Sequence, residues 1–274
     1  MTDSASSPAT GGGRRGPSHR GPVVLLAGPG ESSDIVANFL ASKVSELVAV
    51  REDPPSRLDM ARRRARRVGW VAATGQVLFV VLAQPVLRRR GARRRRSILE
   101  QASLDPTARV PFHHVSSVNG DETIALLVDA QPAAVVVHGT RIIAPRVLDS
   151  VLCPVLNMHA GITPRFRGVH GGYWALAEGH PEWLGTTVHL VDPGIDTGGI
   201  LAQATFATTA EDSIATYPDL HLAHGLPLLA AQLDAVLAGA PLEPMPAGLA
   251  PGSKLYYHPT LWGYLACRWR LGVR

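Results

Sequence analysis

Short apolar runs separated by turn residues mark the chain from residue 22 onward. The first run, Val23–Ala27, passes directly into a glycine turn, after which Ile35, Val36, Phe39 and Leu40 recur at helical spacing. A buried strand, a tight turn and an amphipathic helix in this order are typical of a parallel α/β unit. We therefore predict that the fold opens with a strand and the helix that follows it.

The rest of the chain repeats this alternation. The pattern predicts further strands at Leu47–Val50, Ala133–Val137, Val155–His159, Thr186–Val191 and Ile200–Phe206. It predicts further helices at Pro145–Leu148, Tyr173–Glu178 and Leu226–Leu237. Because strands alternate with helices, we predict a Rossmann-like α/β fold, with a mostly parallel sheet that carries helices on both faces.

Composition divides the chain into three parts. Residues 1–21 are rich in Ser, Gly, Pro and Arg and have no apolar centre, so we expect a disordered tail and no secretory signal. Residues 22–240 are expected to form the main domain, and residues 241–274 an aromatic and basic extension. Cys153 and Cys267 lie among apolar residues, which is typical of reduced thiols in the cytoplasm. We expect no metal site, because His221 and His224 lack an evident third ligand.

An arginine-rich element at residues 57–100 carries most of the positive charge. Thirteen arginines and one acid lie between Arg57 and Arg96, so this stretch carries +12 in a chain of net charge +5. The arginines bracket the apolar run Val68–Leu87, which is nearly as long as a membrane span. Spanning would divide one sheet between the two sides of a bilayer. We therefore expect either a buried helix with solvated arginine ends or an element on an anionic membrane surface. A polyphosphate or nucleic-acid partner would explain the arginines equally well, but the rest of a recognised RNA- or DNA-binding module is not visible in the sequence.

The glycine turn after the first strand leaves two interpretations open. Gly28 and Gly30 form only part of a dinucleotide fingerprint, because Ser33 occupies the third glycine position. Amide groups at a helix N-terminus, together with the Ser32 and Ser33 hydroxyls, are suited to hold a phosphate. The alternative is a plain tight turn closed by a serine cap.

Asn157, His159 and Asp196 are the candidate catalytic residues. Asn157 and His159 are two positions apart, so both side chains face one side at the C-terminal end of a strand, where open α/β sheets carry their sites. An amide donates to a developing oxyanion, an imidazole moves a proton, and a carboxylate orients the imidazole. The set suits acyl transfer by direct attack of an amine, although hydrogen-bonding residues without a catalytic role would show the same spacing.

Two segments, Asn157–Gly168 and Val188–Gln203, resemble the folate-dependent formyltransferase family. They contain Asn-x-His, then Pro-x-x-Arg-Gly, then Asp-x-Gly-x-Asp-Thr-Gly, in this order. The family includes glycinamide ribonucleotide, methionyl-tRNA and sugar-nucleotide formyltransferases. The resemblance extends over residues 135–203 and more weakly back to residue 23. It implies a Rossmann-like domain that transfers a formyl group from 10-formyltetrahydrofolate to a primary amine.

The resemblance also implies roles for individual residues. Asn157 and His159 would polarise the formyl group, and Asp196 would pair with His159. The residues implied to border the pterin are Arg141, Ile142, Ile143, Val191, Asp192, Gly194 and Ile195. The residues expected on the acceptor side are Gly28, Gly30, Ser32 and His170.

The acceptor is not identified by the sequence. Gly161 and Gly199 stand where the family usually has Ser and Pro, which leaves open an amino sugar, an aminoribosyl nucleotide or a carrier-linked amine. No nucleic-acid partner is expected, because the chain ends before the C-terminal barrel of the tRNA-acting members. The alternative function is that of a catalytically silent relative, which binds folate or a nucleotide and acts through the arginine-rich element.

Overall fold

A seven-stranded sheet lies at the centre of the protein, which a computed structural model describes over residues 21–54, 56, 62, 65–245 and 252–274. The strands are β1 (Val23–Ala27), β2 (Leu47–Glu52), β3 (His113–Val115), β4 (Ala134–His138), β5 (Val155–His159), β6 (Phe166–Gly168), β7 (Gly185–Leu190), β8 (Ile200–Thr205) and β9 (Lys254–Tyr256). The central order is β3-β2-β1-β4-β5-β7-β8, and β6 pairs with β9 separately. The first five strands of that order are parallel, β7 is antiparallel to β5, and β8 is antiparallel to β7.

Helices cover both faces of the sheet. They are α1 (Glu31–Ala41), α2 (Trp70–Leu78), α3 (Gln84–Gln101), α4 (Asp121–Ala130), α5 (Pro145–Leu148), α6 (Gly171–Ala177), α7 (Tyr217–Leu237) and α8 (Leu261–Leu271). Alternate residues of β1 face opposite sides: Val23 and Leu25 pack with α1 and α7, while Val24 and Leu26 pack with α4. The predicted Rossmann-like α/β fold is confirmed.

The carboxyl ends of β1, β4 and β5 meet at one edge of the sheet, where the strand order reverses next to β1. The turn after β1 lies directly against the turn after β4, because the Gly28 amide donates to the His138 carbonyl at 2.9 Å. A Cβ on Gly28 would lie 2.0 Å from the Gly139 oxygen. Only glycine permits this approach, which brings the glycine turn to the edge where such folds bind ligands.

A 32-residue helix, Trp70–Gln101, lies on the surface of the domain. It consists of α2, a π turn at Phe79–Ala83 and α3, and we call it the long helix. The expected helix in the arginine-rich element is therefore present, but the buried-helix alternative is wrong. Only 22% of its apolar window is buried, because one side packs on the domain and the opposite side is exposed. Residues 57–61, 63 and 64 of the element lie outside the described residues.

Two described helices are long and apolar enough to cross a membrane, judged by length and composition. They are the long helix and α7, whose apolar window is 50% buried. The helix expected at Leu226–Leu237 begins nine residues earlier, at Tyr217. Pro218 and the polar residues after it hid the helical pattern, and Pro227 lies inside the helix. Residues 1–20 of the expected tail lie outside the described residues.

Candidate active site

Strand β5 presents Asn157 and His159 on one face at the carboxyl edge of the sheet. Asn157 lies opposite His189 of the antiparallel strand β7, and the Asn157 Nδ2 donates to His189 Nε2 at 3.1 Å. The other ring nitrogen of His189 donates to the Leu190 carbonyl at 2.7 Å. This chain of bonds holds the Asn157 amide in one orientation, with one of its two N–H groups engaged.

His159 lies against the loop that follows β5. Its Nε2 donates to the Phe166 carbonyl at 2.8 Å, and its Nδ1 lies 3.4 Å from Asp196 Oδ2. Because a carbonyl only accepts, Nε2 carries the proton of the neutral ring. The side chain is 6% exposed, and burial lowers the pKa of His159, against the opposing effect of the Asp196 carboxylate. Nδ1 is therefore the nitrogen that can take up a proton, and a carboxylate lies ready to stabilise the resulting cation.

Asp196 occupies a left-handed position, φ 52°, in the turn between β7 and β8. Its carboxylate accepts the Gly168 amide at 2.8 Å and lies 3.7 Å from His189 Nε2. Burial opposes ionisation, but the nearby His159 ring and the hydrogen bond from the Gly168 amide outweigh it and lower the Asp196 pKa to about 2. The residue is thus a carboxylate at neutral pH. The structure brings all three candidate catalytic residues together.

The loop between β5 and α6 fastens the Asp196 turn. Arg167 donates to the Ile195 carbonyl at 3.0 Å and to Ser253 Oγ at 2.9 Å. At the start of the loop, a Cβ on Gly161 would lie 2.6 Å from the Phe166 oxygen and 2.9 Å from His159 Nε2. Glycine at position 161 therefore allows the loop to close over the imidazole.

The segments implied to border the pterin also meet. Ile143 and Val191 pack in one hydrophobic cluster with the residues of β4, and Val191 donates its amide to the Val155 carbonyl. Asp192 accepts the Gly194 amide at 3.1 Å and the Thr197 hydroxyl at 2.8 Å, which shapes the turn before Ile195. Their role in folate binding stays a prediction.

Glu52, at the end of β2, fixes the other pterin segment. Its side chain is 2% exposed, pairs with the Arg141 guanidinium and accepts the Arg141 amide at 2.8 Å. It also accepts the Val118 amide. Arg141 is thereby turned toward Glu52, so the side chain that remains exposed in this segment is Ile142, at 49%.

The glycine turn lies beside the arginines of α3. Gly30 and Ser32 line a cavity of about 640 Å³ together with Arg88, Arg95 and Arg96. The expected serine cap is wrong, because Gly30 is the N-cap residue and the Ser33 hydroxyl donates back to the Gly28 carbonyl at 2.7 Å. Gly28 is not among the residues that line this cavity. The juxtaposition of amides and guanidinium groups suits an anionic part of a ligand.

His170, the remaining acceptor-side candidate, bonds to the C-terminal extension. Its Nε2 lies 3.0 Å from His258 Nδ1, and burial lowers its pKa to about 3. It caps α6 with a left-handed backbone, φ 58°, and the following Gly171 approaches Ala160 and Gly161. His170 thus connects the residues after the catalytic strand with the extension.

Several residues of the site escaped the sequence analysis. They are Glu52, His138 and His189. His189 lies on the same face of β7 as Thr187, two positions earlier, and polar residues at this spacing in an apolar strand were the available signal. Burial lowers the pKa of His138, at the end of β4, to about 4. His221 and His224 contact the Phe206 ring, and no group of three or more metal-binding side chains occurs among the residues described.

Acid should destabilise the protein in part through Asp196. Because its folded pKa of about 2 lies below the ordinary 3.8, its contribution is present above about pH 4 and is lost as pH falls toward 2. Between about pH 5 and pH 2, the free energy of unfolding should fall by about 2 kcal/mol more in the wild type than in Asp196→Asn. Denaturant titrations across this range measure the difference. Asp129→Asn, at an exposed carboxylate of α4, should follow the wild type, and parallel curves for Asp196→Asn would contradict the assignment.

Comparison with known proteins places this geometry in context. A family model described as formyl transferase matches residues 61–224, a range that contains Asn157, His159 and Asp196. The methionyl-tRNA formyltransferase of Pelotomaculum thermopropionicum is 33% identical over 177 residues, which are 64% of this chain and 55% of that protein. The chain spans about half the length of the curated relatives it matches.

Solved structures show the same fold at low identity. A 4-N formyltransferase from Francisella tularensis superposes with a TM-score of 0.54 at 11% identity, over 87% of this chain and 76% of that one. A phosphoribosylglycinamide formyltransferase from Streptococcus pneumoniae gives a TM-score of 0.51 at 18% identity, over 79% of this chain and 98% of that one. These likenesses extend the agreement in fold beyond the residues that the family model matches.

Proposed function

Because the chain belongs to the formyl transferase family, we propose that it moves a formyl group from 10-formyltetrahydrofolate to a primary amine of a small or carrier-linked acceptor. The observation that carries the proposal is the contact of His159 with both Asp196 and the Phe166 carbonyl, next to the Asn157 amide. Residues 22–240 would carry the catalysis. The free cysteines Cys153 and Cys267 favour a reducing, cytoplasmic setting.

The three residues divide the chemistry among them. When the amine attacks the formyl carbon, the formyl oxygen gains negative charge, and the second N–H of Asn157 is available to donate to it. The amine must also lose a proton, and His159 Nδ1 is the nitrogen without one. When the tetrahedral intermediate collapses, the bond between the formyl carbon and N10 of the folate breaks, and the proton passes to N10 as tetrahydrofolate leaves. Asp196 stabilises the imidazolium that forms, while Phe166 keeps the ring in place. Attack by the acceptor itself needs no serine or cysteine nucleophile.

The surroundings of the site suit a folate. Ile143 and Val191 pack in one hydrophobic cluster, which brings the segment Arg141–Ile143 close to the turn at residues 191–196. Ile142 offers an exposed apolar side chain to a flat ring, and Glu52 fixes the backbone beneath it. The formyl carrier supplies the one-carbon unit as a co-substrate. The chain's own part is to hold the ring, to orient the formyl group toward Asn157 and to take up the proton.

The acceptor side favours an amine that carries negative charge. Gly30 and Ser32 share their cavity with Arg88 and Arg96, for which the structure shows no carboxylate partner among the described residues. The other charged residues of the cavity are Arg95, which pairs with Glu31 and Asp219, and Glu100. A phosphate or pyrophosphate group bound there would receive amide and guanidinium donors together. Candidates are therefore aminoribosyl nucleotides, nucleotide-linked amino sugars and amino sugars on a phosphorylated carrier.

An acceptor screen tests the function. The purified full chain is mixed with 10-formyltetrahydrofolate and single amines: free amino sugars, nucleotide-linked amino sugars, an aminoribosyl nucleotide and methionyl-tRNA, which a relative's name suggests. We expect tetrahydrofolate release, followed by absorbance, only with an acceptor, and a mass increase of one formyl group on that acceptor. Tight folate binding without release in any arm would instead identify a silent folate-binding relative.

A further inference from the structure

Exposed apolar side chains are concentrated on two neighbouring helices. Of the sixteen large apolar side chains that are exposed among the described residues, eleven lie on the long helix or on α8. They are Trp70, Val71, Val77, Leu78, Val81, Leu82, Val86, Trp262, Leu265, Trp269 and Leu271. Monomeric soluble proteins rarely leave so many large apolar groups together in water. This concentration therefore indicates a contact with something apolar.

The long helix changes character along its exposed side. Its first half exposes apolar groups, such as Val81 at 61% and Leu82 at 55%. Its second half exposes Arg89, Arg90 and Arg93, which make no ion pair with any described residue. The sequence from Arg62 to Leu99 contains no Asp or Glu. One exposed side therefore carries an apolar section followed directly by a cationic section.

Helix α8 adds tryptophan and further arginine to this surface. It packs on the long helix, because Phe79 and Tyr264 lie with ring centroids 5.2 Å apart and Trp262 covers Gly75. Trp269 is 85% exposed, with Arg268 and Arg270 on either side of it. Trp and Arg side chains prefer the boundary between water and lipid, where one end of each is wet. We call the exposed sides of the long helix and α8 together the outer face.

The opposite side of the long helix is fastened to the domain. Phe79 is fully buried, Arg94 pairs with Asp212 at 2.8 Å, and Arg95 pairs with Asp219 at 3.1 Å. Withdrawal of the helix into a bilayer would leave Asp212, whose side chain is fully buried, without its cation. The helix is therefore placed to lie along a surface and not to cross it.

An apolar groove of about 650 Å³ runs between α2, α6 and α8. Its walls include Ala72, Trp174 and Cys267, and His258 at one side bonds to His170 of the acceptor side. The groove therefore adjoins both the outer face and the residues that follow the catalytic strand. A hydrocarbon chain drawn from a lipid layer would find apolar walls there.

We propose that the outer face docks the protein on the surface of an anionic lipid bilayer, with Arg89, Arg90 and Arg93 at the headgroups and the apolar side chains at the acyl boundary. Charge complementarity selects this occupant over a second copy of the chain. Two copies joined through this face would bring two cationic surfaces together. Neither copy has an Asp or Glu between Arg62 and Leu99 to neutralise the arginines of the other. An anionic bilayer interacts favourably with both sections, because the apolar side chains are buried at the acyl boundary and the arginines are attracted to the headgroups. The proposal concerns location and does not depend on the formyl transfer proposed above.

Sedimentation of the full chain with vesicles tests the charge component. We expect binding to vesicles that contain phosphatidylglycerol and little binding to pure phosphatidylcholine, with a marked loss at high salt. The triple variant Arg89→Gln, Arg90→Gln and Arg93→Gln should weaken partitioning on the order of 100-fold. The matched variant Lys43→Gln, Arg109→Gln and Arg146→Gln removes the same charge outside the outer face and should bind as the wild type does. Equal binding by the two variants, or no binding by the wild type, would overturn the proposal.

A second pair of variants tests the apolar component. Val81→Ser, Leu82→Ser and Trp269→Ser together should reduce vesicle binding at least tenfold, because less apolar area is buried in the lipid. Val128→Ser with Leu152→Ser, at exposed apolar positions elsewhere, should not. Thermal melting confirms that each variant is folded. If the wild type does not bind vesicles but forms a dimer in solution that the Val81→Ser, Leu82→Ser and Trp269→Ser variant disrupts, the outer face contacts a second copy. If vesicle-bound protein resists alkaline extraction, the long helix spans the bilayer.

Discussion

Replacement of His159 by Ala, or of Asp196 by Asn, should lower turnover by about 100-fold or more and change folate binding much less. His159→Ala removes the nitrogen that takes the proton. Asp196→Asn keeps an oxygen for the Gly168 amide but removes the charge that stabilises the imidazolium. Asn157→Ala, which removes the donor to the formyl oxygen, should have a comparable effect. Single-turnover formyl transfer, with the acceptor identified in the screen, measures the chemical step.

A folate titration of each variant separates binding from chemistry. His113→Ala, at an exposed histidine on β3, is the matched control and should retain wild-type turnover. If any one of the three variants transfers formyl groups at a near-normal rate, that residue has no part in the mechanism. If folate binding and turnover fall together, the residue supports the pocket instead of the reaction.

Replacement of Glu52 by Ala should be the most damaging single change outside the catalytic residues. It leaves Arg141 without its carboxylate and two backbone amides without their acceptor. Because Arg141 is one-third exposed and can turn to water, we expect a loss of about 2–3 kcal/mol in unfolding free energy, the lower end for a buried pair. Folate affinity should fall about tenfold, since the Arg141–Ile143 segment loses its anchor.

Denaturant unfolding and folate titration measure these two effects. Glu52→Gln retains an acceptor oxygen and should recover part of the lost stability, whereas Glu46→Ala, at an exposed acid just before β2, should change neither quantity. A Glu52→Ala protein that is destabilised but binds folate normally would remove the Arg141–Ile143 segment from the folate pocket.

The central strands were predictable because each is a short apolar run bounded by turn residues. Val23–Ala27 and Val155–His159 appear in the structure with the bounds that the pattern predicts. The three-residue strands β3, β6 and β9 were not, because three residues are too few to show a period. Asn157, His159 and Asp196 could be proposed because a motif marks them, and the structure brings them into contact.

The other parts of the site depend on long-range contacts. Glu52 meets Arg141 across 89 positions of the chain, and nothing next to Glu52 in the sequence signals that partner. The exposed side of the long helix could not be predicted from the sequence either. A run that is apolar at nearly every position has no polar side to reveal which face turns outward, so periodicity could not distinguish a buried helix from one that lies on the surface.

The π turn at Phe79–Ala83 sets the azimuth between the two halves of the long helix. Twelve residues separate the buried positions Phe79 and Gly91, whereas three α-helical turns take about eleven. The wider turn absorbs the surplus residue and brings both halves back into phase with the domain. Deletion of a single residue here would swing α3 by about 100° and carry Arg94 and Arg95 away from their carboxylates. The number of residues in this turn therefore determines the direction in which the arginines of α3 face.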